Sequence, residues 1–362
     1  MAFPEGGSPL FFFGLLFDGL PPSGYTEPMR SLASKALVGV IGAALAFAAC
    51  GRRSSEGPGP QAARTLSIAV IPKGTTHEFW KSIHAGALRA ARELGVEIIW
   101  KGPQKEDDRA QQITVVEDFI SRGVDGIVLA PLDDRALMRP VRDAVRERIP
   151  VVIIDSALQG TDFASYVATD NYKGGVLAAR RLGELLRGQG RIFLIRYQEG
   201  SASTMQREAG FYDTLTKEFP AIVLLVKDQY AGATTETAYQ LAENLISRFP
   251  DVDGVFAPNE SSTFGTLRAL QESRLSGQVV FVGFDSSPKL IQGLRDGDLQ
   301  GLVLQNPVQM GYLGVKTIVA HLRGETIEKV IDTGVVLATK ENMDSAGIQA
   351  LLAPDLALIK DR

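Results

Sequence analysis

The sequence predicts an α/β fold of two similar lobes, each a doubly wound parallel sheet covered by helices on both faces. Two observations carry this. From Thr65 onward, short apolar runs alternate with amphipathic stretches, the rhythm of successive βαβ units, and the strands fall into two sets rather than one wide sheet. One phrase is also written nearly twice: "ISRGVDGIVLAP" from Ile120 to Pro131 and "ISRFPDVDGVFAP" from Ile246 to Pro258. Each copy reads as a last helical turn, an Asp-Gly turn and a buried strand that stops at Ala-Pro. If the copies are equivalent, each is the third strand of its own half; two independent αβ joints that happen to share an Asp-Gly turn are the alternative.

The first half offers strands at "LSIAVI" (66–71), "VEIIW" (96–100), "GIVLA" (126–130) and "VVIID" (151–155), with helices starting near Glu78, Asp108 and Arg135. The second half resumes with "RIFLIRY" (191–197), "IVLLV" (222–226), "GVFA" (254–257), "VVFVGF" (279–284) and "QGLVL" (300–304). Near-continuous apolar runs of this length suit parallel strands buried on both faces.

With 362 residues, 45% apolar and 22% charged, the chain is long enough for two substantial cores. A net charge of −4 and the lack of a basic stripe argue against a nucleic-acid partner. Ahead of the lobes, "MRSLASKALVGVIGAALAFAAC" (29–50) has the layout of a secretory signal: two cations, an apolar stretch too short to span a bilayer comfortably, then small residues before Cys50, the single cysteine. Residues 1–28 lack a basic start and read as an over-extended gene start, whereas 50–64, rich in Gly, Pro and Ser, read as a flexible tether.

In open parallel sheets, ligands bind beyond the carboxyl ends of the strands. Here those ends carry "PKGTTHEFW", Asp155, "PNE", Asp285 and Gln305. Asp, Asn, Gln and Arg hydrogen-bond vicinal hydroxyls, and aromatic faces cover the C–H side of a sugar ring, so the set suits a polyol. Each residue has a plainer reading beside this one. Asp155 and Asp285 also fit helix N-caps, Arg207 a solvated helix charge, Asn259 a turn, and Phe79 with Trp80 a core anchor. "HEFWKSIH" lacks the His-Glu-x-x-His spacing, so His77 and His84 are not read as metal ligands. No dinucleotide fingerprint, Walker loop or nucleophile elbow is present. No cofactor is implied, and no catalytic pair points to an enzyme.

The order "FW", "VVIID", "QREAGF", "VFAPNE", "VVFVGFDSSP" and "GLVLQNP" resembles the type I periplasmic sugar-binding proteins, the ribose-binding-like branch that serves ABC importers. The likeness covers residues 65–345. It implies two Rossmann-like lobes joined by three hinge crossings near Ala168–Asp170, Gln305–Pro307 and Asp332–Gly334. The lobes are then 65–168 plus 306–331 and 169–305 plus 332–362. It further implies that Phe79 and Trp80 flank a sugar ring, that Asp155, Arg207, Asn259, Asp285 and Gln305 take its hydroxyls, and that Tyr230 and His77 lie at the ligand. The small-small-Cys ending resembles a bacterial lipobox, which implies lipid on Cys50 and a periplasmic or cell-surface location.

The chain departs from the ribose-binding pattern at three polar places. His77 stands near an Asn position, Ala130 replaces the Asn after the third strand, and Ser156 replaces the Arg after the strand-end Asp. A pentose pocket is therefore not implied. The leading expectation is a monomeric receptor that closes on a sugar or polyol and delivers it to a permease. The runner-up is a receptor that presents a ligand, including a quorum signal, to a chemoreceptor or sensor kinase. A repressor of related body shape needs a DNA-reading helix-turn-helix where this chain has a signal and a tether.

Overall fold

The computed structural model describes residues 64–360. The expectations for the gene start, signal, Cys50 and most of the tether lie outside the described residues.

The N-lobe runs β1 (Ser67–Ile71), α1 (Glu78–Leu94), β2 (Glu97–Trp100), α2 (Arg109–Arg122), β3 (Gly126–Leu129), α3 (Met138–Arg146), β4 (Val151–Ile154) and β5 (Ser165–Ala168). The C-lobe follows with α4 (Asn171–Leu185), β6 (Gln189–Leu194), α5 (Ala202–Glu218), β7 (Ala221–Val226), α6 (Thr235–Arg248), β8 (Gly254–Phe256), α7 (Glu260–Glu272), β9 (Val280–Phe284), α8 (Pro288–Asp296) and β10 (Gly301–Leu304). Then come α9 (Pro307–Leu322), β11 (Val330–Asp332), β12 (Val336–Ala338), α10 (Ala346–Leu352) and α11 (Ala357–Lys360). One sheet has the order β11-β5-β4-β3-β1-β2 and the other β12-β10-β9-β8-β6-β7. Every pairing is parallel except β10 with β12.

Alternation within each strand feeds two cores per lobe. Ile68 and Val70 of β1 face one cluster with Trp80 and Leu88, while Ala69 and Ile71 face another with Phe119 and Val141. In the C-lobe, Phe193 points into one cluster, and Ile192 and Leu194 into the other.

The repeated phrase has a structural cause. β3 and β8 occupy the same place, each between the first and fourth strands of its sheet. The Asp of each Asp-Gly turn ties back to the first strand: Asp125 Oδ2 accepts the Ser67 N–H at 2.8 Å, and Asp253 Oδ2 accepts the Arg191 N–H at 2.7 Å. Helix pairs repeat as well. A Cβ on Gly86 would lie 1.9 Å from Val308 O, and one on Gly175 2.0 Å from Arg207 O, so α1 meets α9 and α4 meets α5 through backbone that only glycine admits.

The chain passes between lobes after β5, after β10 and between β11 and β12, with Asp332 Oδ1 accepting the Asp170 N–H (3.3 Å) to pin two of these strands together. The end of the chain corrects an expectation. Residues 332–362 are expected in the C-lobe, and α10 does pack there through Leu351 and Leu352. Leu358 and Ile359 of α11 instead pack against the N-lobe cluster beside α1. The cause is an apolar pair on the last helix that finds apolar cover on the other side of the hinge.

Candidate ligand-binding cleft

The strand ends of both sheets open onto one cavity. Two of its carboxylates are placed by the same backbone device. Asp155 follows β4 and Asp285 follows β9, and both hold left-handed φ angles, 63° and 68°, which Asp tolerates better than most residues. Each still donates its N–H to the neighbouring strand, Asp155 to Val167 O (3.1 Å) and Asp285 to Val303 O (2.8 Å). Neither is a helix cap: α8 is capped by Ser287.

Around Asp285 the C-lobe builds a fixed polar wall. Gln305 Nε2 donates to Asp285 Oδ1 at 2.7 Å, and the Glu260 N–H donates to Oδ2 at 3.0 Å. Arg207 is buried rather than solvated. Its Nε donates to Asn171 Oδ1 (2.8 Å), its Nη1 to Pro258 O (3.0 Å), and the guanidinium lies 4.0 Å over the Phe284 ring. Nη1 stands 3.9 Å from Asp285 Oδ2. Gln305 Oε1 is buried with no hydrogen-bond partner among the described residues. Burial pushes the Asp285 carboxyl above its ordinary range, against the opposing pull of Arg207 and Gln305. Asn259 is both cavity wall and N-cap, its side chain joined to Ser262 at the start of α7.

The N-lobe contributes Lys73, just past β1, whose Nζ lies 3.0 Å from Asp155 Oδ2. The same ammonium reaches across to Ser203 (3.1 Å) and Ser201 (3.3 Å) of the C-lobe. Glu106, after β2, is a second junction. It accepts from Trp80 Nε1 (2.7 Å) and from Tyr197 OH of the C-lobe (3.0 Å), and pairs with His77 Nδ1. Burial by itself would lower His77 and raise Glu106. Their contact outweighs it in both, lifting His77 to about 9 and holding Glu106 below the usual carboxyl range. Phe79 and Trp80 meet edge to face, centroids 5.0 Å apart, and both line the cavity. Trp80 is only 2% exposed and belongs to the core cluster as well, so it anchors α1 and walls the cavity at once.

Further bonds join the lobes at the rim. Ser156 Oγ, at the place of the family's Arg, accepts the Ser203 N–H (3.0 Å), and Arg109 Nη2 donates to Glu199 O (2.6 Å). The lobes are thus described in a closed arrangement.

Eight of the nine expected site residues line the cavity: His77, Phe79, Trp80, Asp155, Arg207, Asn259, Asp285 and Gln305. Tyr230 does not, and the expectation for it is corrected. It bridges to Arg196, its ring lies 4.7 Å under that guanidinium, and it is 42% exposed. Sequence reasoning missed Lys73, Glu106, Tyr197, Ser201, Ser203, Thr204 and Glu260. Lys73 and Glu260 sit inside strand-end segments already singled out, so reading those segments in full would have found them. Glu106 lies in the charged run "KEDD", which looks like solvated loop. Trp100 is no part of the cavity and stacks on His84, ring centroids 4.4 Å apart.

Two lobes closing over a polar cavity at their strand ends define a solute-binding protein. Residues 68–326 match the periplasmic binding protein domain. The ribose import binding protein of Bacillus subtilis is 28% identical over 278 residues, 77% of this chain and 88% of its own length. The D-ribose/D-allose-binding protein of Pseudomonas aeruginosa is 30% identical over 284 residues, 75% of this chain and 88% of its own. Among solved structures, a carbohydrate transporter solute-binding protein from Agrobacterium radiobacter, in complex with D-arabinose, superposes with a TM-score of 0.78 at 34% identity, covering 81% of this chain and all of that one. The chain belongs to the periplasmic binding protein family, in the branch of sugar-binding ABC-importer components, and these relatives are binding proteins rather than enzymes.

Proposed function

We propose that this protein captures a neutral monosaccharide or similar polyol by closing its lobes around it, and delivers it to the permease of an ABC importer. The observation that carries the reading is the composition of the cavity. Four carboxyl groups (Glu106, Asp155, Glu260, Asp285) stand against three cationic groups (Lys73, His77, Arg207), a near balance that favours an uncharged ligand. Acceptors that face the cavity, among them the unpartnered Gln305 Oε1, suit a ligand rich in hydroxyl donors. Relatives named for ribose and allose binding, and one solved in complex with D-arabinose, support the class. No covalent step is needed: ligand binding shifts an open–closed equilibrium, and the permease reads the closed pair of lobes.

A thermal-shift screen against monosaccharides and polyols tests this. A true ligand at 100 times its dissociation constant adds about 2.7 kcal/mol to native stability. Silence across the sugars beside a clear shift with an amino acid or a nucleoside would remove the reading.

The protein works as a monomer tethered through lipid on Cys50, at the periplasmic or outer face of a membrane. Cys50→Ser is expected to move it from the detergent phase to the aqueous phase in a partition assay. If wild type and variant both partition into the aqueous phase, the anchor is wrong and the transport reading stands apart from it.

A further inference from the structure

Helix α1 begins without a cap of its own. His77 occupies the N-cap in extended backbone, φ −79° and ψ 153°, and its side chain makes no capping bond because the imidazole is engaged with Glu106. The first N–H groups of a helix have no intrahelical acceptor and carry the positive end of its dipole. Glu260, on α7 of the opposite lobe, supplies the missing acceptors. Its Oε2 takes the Phe79 N–H at 3.0 Å and its Oε1 the Glu78 N–H at 3.3 Å. The side chain is not needed at home, where Asn259 and Ser262 already cap α7.

We propose that Glu260 is a positioning residue for sugar capture: on closure its carboxyl group caps α1 across the cleft and so fixes Phe79 and Trp80 against the ligand. Those two residues are the second and third of α1, and both wall the cavity. When the lobes part, Glu260 leaves with α7 and the N–H groups of α1 return to water. The contact therefore belongs to the closed state, and its loss acts on ligand escape more than on encounter.

Titration follows the closing of this contact. Facing Glu260 are His77 and the start of α1 from one lobe, with Asp285 and, behind it, Arg207 from the other. Burial, opposed by His77 and the Phe79 N–H and reinforced by Asp285, pushes Glu260 up to about 7. In an open, wet cleft the group returns toward an ordinary glutamate near ~4.3. The closed form thus holds the proton more tightly. Capture strengthens as pH falls through 7 and levels off near the ordinary value, about tenfold between pH 8 and pH 6. In the closed form His77, at about 9, is charged across that window, and its partner Glu106 travels on the same lobe.

The inference rests on the sugar-capture reading, and its test separates the two. Wild type, Glu260→Gln and Glu260→Ala are titrated calorimetrically with D-ribose, D-allose and D-arabinose at pH 6, 7 and 8, with dissociation rates by stopped flow. Wild type is expected to bind about tenfold more tightly at pH 6 than at pH 8. Glu260→Gln, which keeps an oxygen for the Phe79 N–H but cannot ionise, loses that slope while retaining affinity at pH 6. Glu260→Ala binds about 2- to 30-fold more weakly, the scale of a lost N-cap, through faster dissociation. Wild-type affinity and rates in Glu260→Ala, or an undiminished slope in Glu260→Gln, overturn the proposal. If wild type binds none of the three, the ligand found by the thermal-shift screen, sugar or not, replaces them in the same titrations: a non-sugar ligand removes the sugar reading, while the slopes and dissociation rates of the Glu260 variants still judge the cap.

Discussion

At the scale of single residues, the cleft depends on side chains whose backbone has been bent to aim them. Asp285 needs a left-handed φ of 68°, takes a Gln305 N–H and the Glu260 N–H, and stands beside Arg207. Asn is the replacement that isolates its charge, because it tolerates the left-handed region and has nearly the same shape. Arg207 keeps its bonds to Asn171 and Pro258 in that variant, so the apo fold is expected to persist. A hydroxyl that donates to a carboxylate loses a charge-assisted bond, so Asp285→Asn is expected to weaken sugar binding by about 1.5–3 kcal/mol. Calorimetric titration checks the affinity and a melting curve the apo protein. A loss of apo stability as large as the loss of affinity would make Asp285 a structural residue. Arg207→Ala is the poorer probe, since it removes a buried guanidinium that holds Pro258 O and covers Phe284.

At the scale of elements, legibility follows the strength of the local signal. The strands β1, β3, β4 and β9 are runs of four or five residues, nearly all buried, and their sequence periods announce them within a residue or two. The strands missed are β5 "SYVA", β11 "VID" and β12 "VLA", three or four residues each, which exist because a neighbouring edge accepts them rather than because their own residues insist. Helix α3 starts at Met138 rather than near Arg135, because Asp133 Oδ1 accepts the N–H groups of Arg135 and Ala136 and holds a turn there first. The site divides in the same way. Residues at strand ends are placed by topology and could be read from the chain. Glu106 is placed by contacts with Trp80, His77 and Tyr197, distant in sequence, which no local pattern encodes. Tyr230 lies elsewhere because its backbone bridges to Arg196 and its ring lies under that guanidinium.

At the scale of the whole molecule, closure should be visible from one tryptophan and not from the other. Trp80 donates its indole N–H to Glu106, whose other oxygen receives Tyr197 OH from the opposite lobe. Parting the lobes removes that hydroxyl and admits water to the wall that Trp80 forms. Trp100 closes β2 at the sheet edge and stacks on His84 of its own lobe, a pair that rigid-body opening leaves intact. Addition of sugar is therefore expected to change intrinsic emission in wild type and in Trp100→Phe, and to leave Trp80→Phe nearly silent. Phe is the right replacement at position 80. Trp80 sits in the core cluster, and truncation to Ala is expected to lower stability by about 3–5 kcal/mol, which would confuse folding with closure. A sugar-dependent signal that survives Trp80→Phe and vanishes in Trp100→Phe would mean that the moving surface lies at the β2 edge, and that closure over the cavity is not what the ligand drives.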